Sequence, residues 1–485
     1  MFCLTNFEEL SFVDQISDLN ALLQKEPVKI LELLQENFDI STFIPDSFYN
    51  SFYSDLGRDR RFSLESVLSA LIIMHLFRIP STYLLWVFLT FSHDIRYFCR
   101  LSDRVPDEPF FSRFKSSFEV QIAELFNNMA LKVNDICKEI DEALPSDSPD
   151  KGLSSLLIYD TSGAKPAVKE NNPKTLVSEI NKQKSFARIC NNPDFNPYAA
   201  AYKNMPKQSS VNPSIKLDFV NGHFGYFYKF GMITNGFGIP LRLHFFDSDF
   251  YSSLNSDFDS PEDQKYEFDN ASLLPVVKPF LDSLPLNNFT SFLGDSEFDS
   301  YDNFSFLKSS GFEKVFIPIN PRNTKDSIKS YDLDGTPICP VDKTPFIPDG
   351  SCRGENRSFR YKFVCPKSIR VKGKWTTTCE NPCRETNSTV TNYIYPHQDF
   401  RLYPGVLRSS DEWDKTYKIR ASIEREFASM KNNSLVSSPK TFKLETIRSD
   451  IFLCAISKLV VVILAHALNN PQYLRNLSQL VKHAA

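Results

Sequence analysis

YKIRASIEREFASMK, running from Tyr417 to Lys431, decides how the rest of the chain is read. Tyr417, Arg420, Glu424 and Lys431 are spaced by three, four and seven residues. At about 100° per residue these steps fall within roughly 60° of arc on an α-helix. Ile419, Ile423, Phe427 and Met430 take a neighbouring arc and give that helix a face to bury. The spacing predicts one helix carrying an acid between two bases and a phenol. A carboxylate held there suits a divalent metal, and the bases suit phosphates. The plainer reading is a solvated face with an Arg–Glu pair four residues apart, worth a few tenths of a kcal/mol. Taken alone, the stretch leaves both open.

Composition narrows the field without settling it. With 485 residues, the chain has room for two to four domains and at least one large core. Its hydrophobic content of 42% and charged content of 24% are those of an ordinary globular protein. A net charge of −4 does not announce a polyanion binder. The local distribution does more. Basic residues outnumber acidic ones from Cys365 to Asp450, and the reverse holds from Asp247 to Asp282. Such a split fits a protein that holds polyanion in one place and cations in another.

The N-terminus MFCLTNFEELSF has acids and no basic start, so no signal peptide is expected. Two apolar runs, Val67–Phe91 and Ile451–Leu468, are interrupted by His, Arg, Lys or Pro and read as buried helices, not membrane spans. The expected compartment is the cytoplasm. Ten cysteines there point to thiols or metal ligands, not disulfides.

Along the chain, residues 1–143 read as helical. Arg58, Arg60, Arg61, Arg96, Arg100, Arg104, Arg113 and Lys115 sit near helix ends, where they either grip DNA backbone or are simply solvated. After the linker LPSDSPDKG the pattern becomes α/β. SLLIYDTSG is a strand ending at Asp160, and the polar stretch Lys165–Asn212 is expected to be a long loop. FGYFYKFGMI and PLRLHFF form a hairpin about TNGFG. NASLLPVVKPFLDSL is a helix, FTSFLGDSEF a strand ending at Asp295, DNFSFLKSS a helix and EKVFIPINP a strand. This order implies a mixed sheet with flanking helices. Residues 322–410 lose helical period and read as a β-rich insertion containing cysteines.

Asp160 and Asp295 thus come at strand ends, where open α/β sheets bind ligands. Glu424 follows on a helix able to cross the same edge. Three such carboxylates suit two Mg²⁺ or Mn²⁺ ions, which stabilise the attacking and leaving oxygens of a phosphodiester. A lone strand-end Asp is more commonly a turn residue. The signal lies in all three falling in order.

With these residues in hand, the chain resembles the DDE transposases of bacterial insertion sequences, in the group marked by a Y-R-E-K signature. Tyr417, Arg420, Glu424 and Lys431 match that spacing; LIYDTSG and FLGDSEFDSY resemble the two aspartate blocks. HFGYFYKFGMI resembles a second-strand block, and FSLESVLSALIIMHLF with PDEPFFSRF resembles the family's helical domain. Glu297 departs from the pattern, standing where a small residue is usual.

The resemblance implies an α/β, RNase H-like mixed sheet with flanking helices, an N-terminal helical domain and a β-rich insertion before the last catalytic helix. The expected domains are 1–143, helical and DNA-binding; 152–321, the first part of the catalytic core; 322–410, the insertion; and 411–485, the core's C-terminal helices. It makes Asp160, Asp295 and Glu424 the catalytic metal ligands for two Mg²⁺ or Mn²⁺ ions. Arg420, Lys431 and Lys229 become DNA contacts, Tyr417 a phosphate contact or a residue orienting Glu424, and Trp375 a candidate for stacking on a flipped base, against ordinary strand packing. The implied reaction is metal-dependent cleavage at insertion-sequence ends and transfer of the 3′-OH into target DNA. The implied partners are double-stranded DNA with terminal inverted repeats, target DNA and a second copy of the chain. A non-catalytic DNA-binding descendant, or an RNase H-like nuclease without strand transfer, stays open. Cys339, Cys365, Cys379 and Cys383 are in addition read as a possible structural zinc site, against ordinary buried thiols.

Overall fold

The computed structural model describes residues 29–53, 59–101, 104–220, 222–253, 258–284, 288–324, 331–354, 357–380 and 391–484. Its N-terminal part is helical: α1 (Lys29–Asn37), α2 (Asp46–Phe52), α3 (Leu64–Leu76), α4 (Thr82–Phe91), α5 (His93–Phe98), α6 (Glu108–Ser117) and α7 (Glu119–Ala143). Ser63, Ser81 and Ser92 cap α3, α4 and α5 by accepting from the backbone N–H three residues on, which satisfies a donor the helix leaves orphaned. The apolar run Val67–Phe91 is split into α3 and α4 at the turn containing Pro80. Neither piece is long enough to span a bilayer.

The sheet comes next. Its strands are β1 (Leu156–Ala164), β2 (Lys216–Val220), β3 (His223–Asn235), β4 (Pro240–Phe245), β5 (Ser291–Leu293) and β6 (Lys314–Phe316). They run in the order β2-β3-β1-β5-β6, with β4 paired to β3. β1 is antiparallel to β3 and parallel to β5, and β5 is parallel to β6. The sheet is therefore mixed. β3 is buried along almost its whole length, as its near-continuous apolar sequence requires. Gly231 admits the Tyr159 ring; a Cβ there would stand 2.5 Å from the phenol oxygen.

Two helices, α8 (Leu176–Cys190) and α9 (Pro197–Asn204), occupy the stretch expected to be a loop. α8 buries only Leu176 and Gln183, so it carries almost no apolar stripe for sequence to show. Asn196 caps α9. After α10 (Ser248–Ser252), α11 (Pro261–Asp282) begins at Pro261 and not at Asn270, with Ser260 as its cap and Glu262 and Asp263 in its first turn. α12 (Tyr301–Ser309) links β5 to β6.

The insertion holds a three-stranded sheet of β7 (Ile347–Gly354), β8 (Arg357–Val364) and β11 (Thr391–Ile394), and a hairpin of β9 (Ser368–Val371) and β10 (Lys374–Thr377). At its base Arg401 grips Asp299 with two bonds, 2.7 and 2.8 Å, both groups buried. Arg408 binds the carbonyls of Ile317, Leu402 and Arg401.

The chain returns as α13 (Asp411–Tyr417), α14 (Ala421–Lys431), α15 (Ser434–Ser437), α16 (Leu444–Ala467) and α17 (Leu477–His483). Tyr417–Lys431 is not one α-helix, because Lys418–Arg420 tightens to 3₁₀ winding between α13 and α14. Each residue there turns about 120°, which shifts Tyr417 by roughly 60° relative to the other three and brings it into line with Arg420. α16 has the length and composition to cross a membrane, yet most of it is buried against α3, α6, α7 and β4. Lys115, grouped by sequence with possible phosphate contacts, is instead buried, donating to both oxygens of Asp450 on α16 at 2.6 and 2.8 Å. Arg58 lies outside the described residues, while Arg100, Arg104 and Arg113 are exposed.

Candidate active site

Asp160 lies in the middle of β1, not at its end, because the strand runs on to Ala164. Its Oδ1 accepts from the next backbone N–H, that of Thr161, at 2.8 Å. Asp295 lies just past β5, where it opens the 3₁₀ turn Ser296–Phe298 by accepting from the Ser296 N–H at 2.6 Å. Glu424 is in the first turn of α14, and α14 packs on β1. A parallel strand pair and one helix thus bring together three acids that are far apart in sequence.

Arg420 joins them. Its Nη2 donates to Asp160 Oδ2 and Asp295 Oδ2, both at 3.0 Å, and its Nη1 to Glu424 Oε1 at 2.5 Å. The guanidinium is 12% exposed, Asp160 17%, Asp295 36% and Glu424 53%, so the cage grades from core to solvent. These groups line a cleft of about 310 Å³ with Thr161, Ser162, Lys229, Lys265 and Phe427 among its walls. Burial pushes the Asp160 carboxyl up to about 6; Asp295 adds to the rise and Arg420 opposes it. The surrounding acids overcome burial to hold Arg420 well above its ordinary value.

The donor set is all oxygen, which favours Mg²⁺ or Mn²⁺ over zinc, and it already surrounds one cationic group. Among the described residues no three His, Cys, Asp or Glu side chains are grouped closely enough to share an ion as they stand. Asp160, Asp295 and Glu424 are joined through the guanidinium instead.

The other sequence-predicted residues fall in different places. Burial brings the Lys431 ammonium down to about 8, against the pull of the Asp160 charge. Tyr417 packs on the core and stacks on Trp413, with ring centroids 5.9 Å apart. Lys229 forms the floor of the cleft at 1% exposure, bonded to Asp269 at 2.6 Å and 3.3 Å from Asp218. Its charge is spent on two buried carboxylates and is not presented to solvent. Trp375, half-buried on β10, donates its indole N–H to Asp349 at 2.9 Å and is not among the residues lining the cleft. Cys339 and Cys365 are buried in the insertion's apolar cluster, Cys379 is half-buried, and Cys383 lies outside the described residues. The described cysteines therefore form no zinc cluster.

Sequence reading missed Thr161, Asp218, Lys265 and Asp269. The Lys265–Asp269 spacing of four residues is the available signal, but it falls before the Asn270 start that the sequence predicts for α11.

The chain matches two family models: Transposase domain (DUF772), over residues 18–117, and Transposase DDE domain, over residues 255–457. The second span includes Asp295 and Glu424 but not Asp160. No curated protein matches the chain.

Proposed function

We propose a metal-dependent DNA reaction at the Arg420 cleft, from the premise that the chain belongs to the DDE transposases of insertion sequences. In this reading Asp160, Asp295 and Glu424 hold two Mg²⁺ or Mn²⁺ ions. The chain cleaves DNA at the ends of its element and joins the freed 3′-OH to target DNA. The observation that carries it is the convergence of the three acids on one guanidinium, from β1, the turn after β5 and α14. The sheet order and the β-rich segment before α14 support an RNase H-like core.

Bound there, the ions would activate the attacking oxygen and stabilise the leaving one. The protein's own groups supply the rest. Arg420 must leave the carboxylates for metal to enter, and a DNA phosphate offers its planar fork an equivalent anion. Burial brings the Lys431 ammonium down to about 8, and a DNA phosphate brought near it would favour the charged form. Tyr417, fixed against Trp413, is placed to hydrogen-bond a phosphate or to orient Glu424. Arg100, Arg104 and Arg113 offer exposed charge for the duplex outside the cleft. A second copy is expected in the DNA complex, so that both ends of an element are held together.

The test is cleavage of a duplex carrying inverted repeats found on either side of the gene. Asp160→Asn, Asp295→Asn and Glu424→Gln should each abolish Mg²⁺-dependent cleavage while duplex binding persists. Full cleavage by any one of them would remove that residue from the site. Cleavage without joining to target DNA would favour a nuclease lacking strand transfer.

A further inference from the structure

Behind the cleft runs a row of alternating charges: Asp218, Lys229, Asp269, Lys265 and Glu297. Lys229 Nζ stands 3.3 Å from Asp218 and 2.6 Å from Asp269. Lys265 Nζ is 3.3 Å from the other Asp269 oxygen and pairs with Glu297. The first three are at most 1% exposed, whereas Lys265, in the cleft wall, and Glu297, in the wall of the neighbouring pocket, are 24% and 28% exposed. Asp269 also accepts from Thr161 Oγ1 at 2.9 Å. Next to Asp269, Asn270 donates to the Glu297 carbonyl at 3.0 Å.

The row therefore touches both aspartate carriers. Thr161 adjoins Asp160 on β1, and Glu297 is two residues from Asp295 on the turn after β5. Stability alone is a poor reason for it, since buried ion pairs cost so much desolvation that an apolar filling is commonly as stable. Fixing ligand geometry is a better one: groups hydrogen-bonded behind metal ligands set their orientation.

We propose that Asp269 is a positioning residue for the metal-holding carboxylates, setting Asp160 through the Thr161 hydroxyl and Asp295 through Lys265 and Glu297. Glu297, the departure from the family pattern, is on this view the outer end of the brace. The proposal rests on the metal reading above. Lys229 contributes by fixing Asp269 from behind.

The test is Mn²⁺ binding to the full chain, measured by calorimetry without DNA, beside thermal melting. Thr161→Val keeps side-chain shape and removes the hydroxyl. It should weaken Mn²⁺ binding about tenfold with melting nearly unchanged, and Thr161→Ser should restore binding. Asp269→Asn should weaken binding at least as much; if it folds poorly, the Thr161 pair still decides. Parental affinity in Thr161→Val, or equal loss in both Thr161 variants, would overturn the proposal while leaving the metal reading intact. A parent chain that binds Mn²⁺ no better than the Asp160→Asn/Asp295→Asn double variant would remove the metal reading and this inference with it.

Discussion

Replacing Asp160 by Asn should make the metal-free protein more stable at neutral pH. The carboxyl is 17% exposed and is raised from its ordinary 3.8 to about 6, chiefly by burial and then by Asp295. Arg420 reduces the rise without cancelling it. The rise from 3.8 to about 6 corresponds to about 3 kcal/mol. The direction follows from proton counting. Between about pH 4 and 6 the folded chain binds more protons at this site than the unfolded chain, so Asp160's contribution to stability falls as pH rises through that window. Asn imitates the protonated acid and does not titrate. The stability difference between Asp160→Asn and the parent should be small at pH 4 and grow to about 3 kcal/mol in favour of the variant above pH 6.5. The assay is urea or thermal unfolding in chelator across that range, with a Tm gain of a few degrees expected at pH 7.5. Added Mn²⁺ should then stabilise the parent, by about 2.7 kcal/mol at a hundredfold excess over Kd, and leave the variant unmoved. A pH-independent difference, or a variant less stable than the parent at pH 7.5, would refute the reasoning. The physical content is that the site is assembled at a cost in stability, which a bound cation offsets.

Other outcomes follow from the same contacts. Lys115→Met should cost about 3–5 kcal/mol in urea unfolding, because it leaves the buried Asp450 carboxylate facing His75, an imidazole whose charging burial opposes. Lys115→Met/Asp450→Leu should recover most of that loss; a single variant costing under 1 kcal/mol would sink the assignment. Arg401→Met should expose the insertion, since Asp299 loses a bidentate partner, and faster hydrogen exchange over residues 331–408 is the measurement. Arg420→Ala should destabilise the metal-free chain by about 2 kcal/mol at pH 7.5, with Mn²⁺ restoring the melting temperature because it supplies the missing positive charge. Trp375→Ala should leave Mn²⁺ binding unchanged, as the indole bonds Asp349 and not the cleft; a weakened metal affinity would contradict that placement.

Asp160, Asp295 and Glu424 could be singled out from sequence, because strand–acid and helix-stripe patterns are local, although the sequence ended β1 at Asp160 and the strand runs on to Ala164. The mixed sheet was legible for the same reason, through the apolar run of β3 and the hairpin at Asn235. α8 was not legible, since a helix that buries only Leu176 and Gln183 leaves no period to read. The charged residues Lys229 and Lys115 were misread as surface contacts. Their sequence neighbours give no sign of the distant acids, Asp269 and Asp450, that let them be buried. Arg420 shows the division most sharply. Its spacing from Glu424 is written in the helix, but its bonds to Asp160 and Asp295 span 260 and 125 residues. Helical and strand periodicity are fixed by backbone geometry over a few residues, so the sequence by itself determined which acids face which way. Which cation each acid meets depends on desolvation and distance across the folded core, and only the tertiary structure decided that.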